Sequence, residues 1–153
     1  MIAQHISAQL SEASLTALVG VNGAGKSTTM NTILKYSKVK NDKEVMEKDM
    51  LFATLETAVR TIETGDNKPF FLVDTVGFIH KLPHGLVKAF HSTLEEVTYA
   101  DIILQIIDAS DEHYDDHIRV TRDTLKELDA VNIPCIYVFN KAERIMPREK
   151  LPF

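Results

Sequence analysis

Residues 18–31 read LVGVNGAGKSTTMN, and Gly20, Gly25, Lys26 and Ser27 within them satisfy the pattern GxxxxGK[ST]. Glycines at this spacing let backbone N–H groups curl around phosphate oxygens, and the N-terminus of a following helix adds a favourable potential. Lys26 is expected to reach the β- and γ-phosphates and the Ser27 hydroxyl to bind Mg2+. Upstream, LTALV (15–19) reads as a buried strand ending at Gly20. Downstream, Ser27 opens a helix whose Met30, Ile33 and Leu34 recur at helical spacing. A phosphate loop between a strand and a helix points to an α/β fold.

Further along the chain, FFLV (70–73), IILQII (102–107) and IPCIYVF (133–139) have the length of buried strands, and polar Asp74, Asp108 and Asn140 follow them. Open α/β sheets place ligands at such strand ends. Leu86, Phe90, Leu94 and Val97 mark one intervening helix; Ile118, Thr121, Leu125 and Leu128 mark another, with Ser110 and Asp111 as its caps. Strands separated by helices predict a mostly parallel sheet. TAVRTIET (57–64) is the exception, because GDNK (65–68) is a turn signal that makes it an antiparallel edge partner of the next strand.

At 153 residues, 44% hydrophobic and 25% charged, the chain has the size and composition of one soluble domain. It contains no apolar run of membrane-spanning length, and its first residues do not read as a secretory signal, so the cytosol is the expected compartment. A net charge of -5 disfavours autonomous nucleic-acid binding. The one cysteine, Cys135, lies in an apolar run and reads as a buried thiol.

The phosphate loop alone does not choose the nucleotide, and GVNGAGKSTTM by itself resembles the loop of transporter-type ATPases. Those carry an LSGGQ-like signature and a strand ending in Asp-Glu, and neither occurs in this sequence. DTVGF (74–78) instead supplies a DxxG element, in which Asp74 holds the Mg2+ shell through water and the Gly77 N–H meets the γ-phosphate. A bond made only while the γ-phosphate is present turns the segment into a switch. NKAE (140–143) stands where GTPases have NKxD: Asn140 and Lys141 brace the loops and base, and Glu143 offers the carboxylate that reads the guanine N1–H and 2-amino group. One extra methylene relative to Asp leaves GTP and ATP both open on this residue alone.

LFATLETAVR (51–60), DTVGFIHKLPHGLVKAFHSTLEEVTYADIILQIIDAS (74–110) and IPCIYVFNKAE (133–143) resemble the GTPase domain of the HflX family of ribosome-associated GTPases. The resemblance runs from about residue 15 to 143 and implies a three-layer P-loop G domain whose mostly parallel sheet has one antiparallel edge strand. It makes Phe52, Ala53, Thr54, Leu55 and Glu56 the first switch, with Thr54 a second protein hydroxyl on Mg2+. The implied nucleotide site comprises Gly20, Val21, Asn22, Gly23, Ala24, Gly25, Lys26, Ser27, Thr28 and the first switch, then Asp74, Thr75, Val76, Gly77, Asn140, Lys141, Ala142 and Glu143. Within it Lys26, Thr54 and Gly77 are the catalytic candidates, and Ser27, Thr54 and Asp74 the metal candidates. The implied ligands are GTP, GDP and Mg2+, and the implied activity is GTP hydrolysis stimulated by the large ribosomal subunit.

The chain also departs from this family. Its loop has Asn22 and Gly23 where the family reads GYTNAGKS, which removes the asparagine associated with an activating K+. Thr57 and Ala58 replace a frequent Pro-Thr. Phe78 follows Gly77 where many GTPases have a glutamine that orients the attacking water, so slow intrinsic hydrolysis is expected. The chain ends ten residues after Glu143, so residues 15–153 are expected to lack the final strand and helix of a G domain, with 1–14 a short helical remnant. The His80/His84 and His113/His117 pairs lack an HExxH context and read as surface or loop histidines. The acidic cluster Asp111, Glu112, Asp115 and Asp116 reads as support for a helix dipole.

Overall fold

The computed structural model describes residues 14–38, 58–63, 69–75, 77 and 94–145. The first-switch residues 52–56, Val76, Phe78, His80, His84, most of the helix expected around Leu86–Val97, and the terminal stretches 1–13 and 146–153 lie outside them.

Among the described residues, five strands form one sheet in the order β2-β3-β1-β4-β5. They are β1 (Leu15–Val19), β2 (Ala58–Glu63), β3 (Pro69–Asp74), β4 (Ile102–Asp108) and β5 (Cys135–Asn140). β1 runs parallel to β3 and β4, and β4 to β5, while β2 pairs antiparallel with β3, Ala58 opposite Asp74 and Glu63 opposite Pro69. The antiparallel edge pairing expected from the sequence is therefore present, and the GDNK turn itself lies outside the described residues.

Among the described residues, two α-helices cover the sheet. α1 (Lys26–Tyr36) lies on the face where Leu18, Met30, Ile62, Leu72, Leu104, Ile106 and Val138 pack together. α2 (Tyr114–Glu127) lies on the other, over Ala17, Val19, Val97, Ile103, Leu125 and Ala130. Adjacent residues of β1 and β4 thus feed opposite cores. That explains their continuous apolar runs: a strand covered on both faces has no solvent side on which to alternate.

Two expectations are corrected. Ser110 and Asp111 do not cap α2; His113 occupies that position without a side-chain bond. Ser110 turns back to Asp108, while Asp111 Oδ1 accepts from the His113 N–H at 2.9 Å and closes the turn just before the helix. Cys135 is exposed rather than buried. It shares the outer face of edge strand β5 with Tyr137 and Phe139, 48% and 47% exposed, and α2 does not cover that face fully. Phe139 still meets Tyr114 of α2 edge-to-face, ring centroids 6.1 Å apart.

Gly20 ends β1 with φ 150°, and a Cβ there would lie 2.5 Å from the Ile106 carbonyl oxygen of β4. The phosphate loop leaves the sheet through a gap with room for a hydrogen atom only. Gly20→Ala is therefore expected to lower stability by about 2 kcal/mol, and Leu18→Ala, which empties a fully buried site, by about 3 kcal/mol. Tyr137→Ser on the open face should lose less than about 1 kcal/mol. Urea unfolding midpoints of the three variants check the ranking.

Candidate functional site

The parallel strands end at one edge of the sheet, and the polar residues that follow them meet there. Leu18 of β1 is in register with Asp74 of β3, and Asp108 of β4 with Asn140 of β5. The loop Gly20–Gly25 rises between them and enters α1 at Gly25, whose φ of 98° is left-handed. A Cβ on Gly25 would also collide with Asn140 Nδ2, so both conformation and space require glycine.

Lys26 is 7% exposed and folds back over its own loop, donating to Gly20 O at 3.0 Å and Val21 O at 3.2 Å. Burial lowers its pKa to about 8, against the opposing attraction of Asp74. Asp74 is fully buried; burial raises its pKa, opposed by the Lys26 charge and by the Ser27 hydroxyl, which donates to Asp74 Oδ2 at 3.4 Å. The other carboxylate oxygen, Asp74 Oδ1, is buried with no hydrogen-bond partner among the described residues. A buried ammonium and carboxylate, each destabilised in its charged form by loss of water, are suited to receiving a polyanion and a hard cation.

The Mg2+ site expected from the sequence can be tested on these atoms. The Ser27 hydroxyl and the Asp74 carboxylate supply hard oxygen donors side by side, and the orphaned Oδ1 is capacity that nothing else uses. Mg2+ takes one or two protein oxygens and fills its octahedron with waters and phosphate oxygens, so the pair fits it. Thr54, the third expected ligand, lies outside the described residues, and no cluster of three or more His, Cys, Asp or Glu occurs among them.

On the base side, Asn140 Nδ2 donates to Ala24 O at 2.9 Å and Lys141 Nζ to Gly23 O at 2.8 Å, so the strand-end Asn-Lys pair is bonded into the phosphate loop. Lys141 also forms an ion pair with Asp108 at 2.6 Å. Burial works to raise the Asp108 carboxyl, but bonds from Lys141 and Ser110 outweigh it and hold the pKa below the ordinary carboxylate value. Ala142 and Glu143 follow in a short 3-10 turn, Glu143 exposed. Gly77 lies close against Asn22, so the DxxG glycine abuts the phosphate loop. Thr28 is exposed on α1, while Thr75 is fully buried and its hydroxyl donates to Leu18 O at 2.6 Å, toward the sheet.

The structure thus brings together the expected loop residues, Asp74, Gly77, Asn140 and Lys141, while Glu143 is exposed in the turn that follows Lys141. Sequence reading noted Asp108 only as a polar strand end and missed its pairing with Lys141. The one available signal was that Asp108 follows the apolar run 102–107 and Lys141 comes just after Asn140, which follows the run 133–139, and their adjacency emerges only from the strand order.

A phosphate loop braced by a strand-end Asn-Lys pair, with a DxxG glycine at its lip, defines a P-loop domain of the GTPase type. Residues 15–141 match the family described as 50S ribosome-binding GTPase, and the chain belongs to that family. It is 46% identical over 134 residues to GTPase HflX of Akkermansia muciniphila, covering 88% of this chain and 29% of that protein. GTPase HflX of Escherichia coli K12 is 41% identical over 129 residues, again with 29% of its length covered. Among solved structures, a GTP-binding protein from Sulfolobus solfataricus in complex with GDP superposes with a TM-score of 0.66 at 25% identity, over 86% of this chain and 37% of the other. An Era variant from Aquifex aeolicus bound to GDP.AlF4- shares the fold with a TM-score of 0.62 at 24% identity, over 90% and 44% of the two chains.

The Lys26 shift has a measurable consequence. With its pKa at about 8 instead of the ordinary 10.5, the folded nucleotide-free protein releases this proton before the unfolded chain does. The shift lowers stability fully below about pH 8, and the loss is relieved as pH rises from about 8 to about 10.5. Bound phosphate requires the charged form. Nucleotide affinity is therefore expected to fall as pH passes about 8, approaching tenfold per pH unit, and Lys26→Arg, which stays charged, to flatten that slope. Calorimetric titration with GDP between about pH 7 and pH 9 checks both.

Proposed function

We propose that this domain binds GTP and GDP and hydrolyses GTP with Mg2+, in the cytosol, and that the large ribosomal subunit is the partner that stimulates it. The observation that carries the nucleotide reading is the bonding of Asn140 and Lys141 into the phosphate loop. It joins the segment holding Glu143 to the segment holding Lys26, so a base and its phosphates would meet one continuous cradle. The chain spans 28–29% of the length of the HflX relatives it matches, and the ribosomal partner rests on the description of the family.

The residue roles follow from their chemistry. Loop N–H groups and Lys26 hold the β- and γ-phosphates, and Glu143 accepts from the guanine edge. Ser27 and Thr54 would hold Mg2+ directly and Asp74 through water, and the ion would supply charge neutralisation to the phosphates. Gly77, beside Asn22, would offer its N–H to the γ-phosphate and register its loss after hydrolysis. With Phe78 unable to orient water, positioning by a partner surface would accelerate turnover, which supports a stimulated enzyme with slow basal rate.

Titration with fluorescent GDP, GTP and ATP analogues, with and without Mg2+, tests the reading. Guanine nucleotides should bind at least about tenfold more tightly than ATP, and Lys26→Ala should weaken triphosphate binding by about tenfold to a hundredfold. Preferential ATP binding would transfer the site to an ATP-using relative, and guanine binding without phosphate release in any condition would make it a binding module. Release stimulated by added 50S subunits would support the partner; subunits without effect would count against it.

A further inference from the structure

We propose that Asp108 is a positioning residue for the phosphate loop: its carboxylate holds the Lys141 ammonium against the Gly23 carbonyl and so sets how long a bound nucleotide stays. The proposal deepens the nucleotide-binding reading above and rests on it.

Lys141 Nζ has two anchors, Gly23 O at 2.8 Å and Asp108 Oδ2 at 2.6 Å. Asp108 ends β4 in register with Asn140, the residue before Lys141, so carboxylate and ammonium leave adjacent strands. The second carboxylate oxygen is also fixed: Asp108 Oδ1 accepts from the Ser110 N–H at 3.0 Å and from the Ser110 hydroxyl at 2.6 Å. Rotating the carboxylate away from Lys141 would break both bonds. Oδ2 is thus presented to Lys141 by local geometry, independently of the loop.

The lysine needs this partner. Its backbone is left-handed, φ 60°, and its side chain is 23% exposed, so water is within reach of the ammonium. An ammonium on a flexible four-carbon stem is strongly hydrated and turns outward when nothing opposes it. Without Asp108, the Gly23 carbonyl loses its donor, and among the side-chain bonds of the described residues the one from Asn140 to Ala24 is left to tie β5 to the loop. Because Asp108 bonds to Lys141 and Ser110 and acts on the loop through the lysine, its loss should shorten occupancy by GDP and GTP alike and leave the hydrolytic step of bound GTP unchanged.

The test is a double-variant cycle on the dissociation rate of fluorescent GDP. Asp108→Ala is expected to accelerate release about tenfold and Asp108→Asn to do so in the same direction while keeping the side chain's shape. Ser110→Ala should give a smaller increase. On a Lys141→Met background Asp108→Ala should add less than about twofold; an equal effect on both backgrounds would mean that Asp108 merely secures the end of β4, and would overturn the proposal. Single-turnover GTP hydrolysis within about twofold of the parent separates residence time from chemistry. Amide hydrogen exchange at Gly23–Gly25 in the nucleotide-free protein gives an independent readout: faster in Asp108→Ala and no faster in the double variant. Failure of the parent chain to bind guanine nucleotides would overturn the function proposed above, whereas unchanged exchange in Asp108→Ala would overturn the brace.

Discussion

The hydrogen bond from Asn140 Nδ2 to Ala24 O joins two segments 116 residues apart, and the rest of the site depends on it. It forms only if β5 reaches the edge of the sheet where β1 opens into the phosphate loop, and that requires β4 to lie between them in register. It also requires Gly25, since any side chain there would displace the Asn140 amide. One contact thus records strand order, register and loop conformation together. A buried side-chain amide bonded to backbone is worth about 1 kcal/mol net, but leaving its partner unmet in a dry site costs more. Its main contribution is to select one arrangement of loop and strand.

Two oppositely charged couples flank that contact and behave differently. Lys26 and Asp74 are both almost wholly buried; each loses water more than it gains from the other, so Lys26 is pulled down and Asp74 pushed up. Such a pair adds little to stability while the site is empty, because desolvation consumes the Coulomb attraction. Lys141 and Asp108 retain some contact with water and bond directly at 2.6 Å, and the Asp108 pKa falls below its ordinary value. The inner pair is held ready for added charge, and the outer pair is already satisfied and acts as structure.

The same sheet explains the uneven surface. β1 and β4 lie at the centre with cores on both faces, so their side chains are almost all buried. β5 lies at an edge, and its side facing the α1 core, through Ile136 and Val138, is the more fully packed. Tyr137, Phe139 and Cys135 project from the other side, where α2 offers partial cover through Tyr114.

The sequence by itself determined the elements and the chemistry of the loop. Strand-length apolar runs, the helical spacing of Met30, Ile33 and Leu34, the GDNK turn and the GxxxxGK[ST] pattern are local signals, because period, turn propensity and backbone N–H geometry depend on residues near in the chain. The matching text at 74–110 and 133–143 marked the family for the same reason. What only the tertiary structure decided is non-local. The apolar run IPCIYVF reads like those of β1 and β4, yet its place at the sheet edge exposes Cys135, Tyr137 and Phe139. Ser110 and Asp111 looked like caps because their side chains can bond nearby N–H groups, but Ser110 found the Asp108 carboxylate instead. Asp108 and Lys141 lie 33 residues apart, and no local rule pairs them. They meet because parallel pairing sets the ends of β4 and β5 side by side, and that register is fixed by the packing of both sheet faces at once.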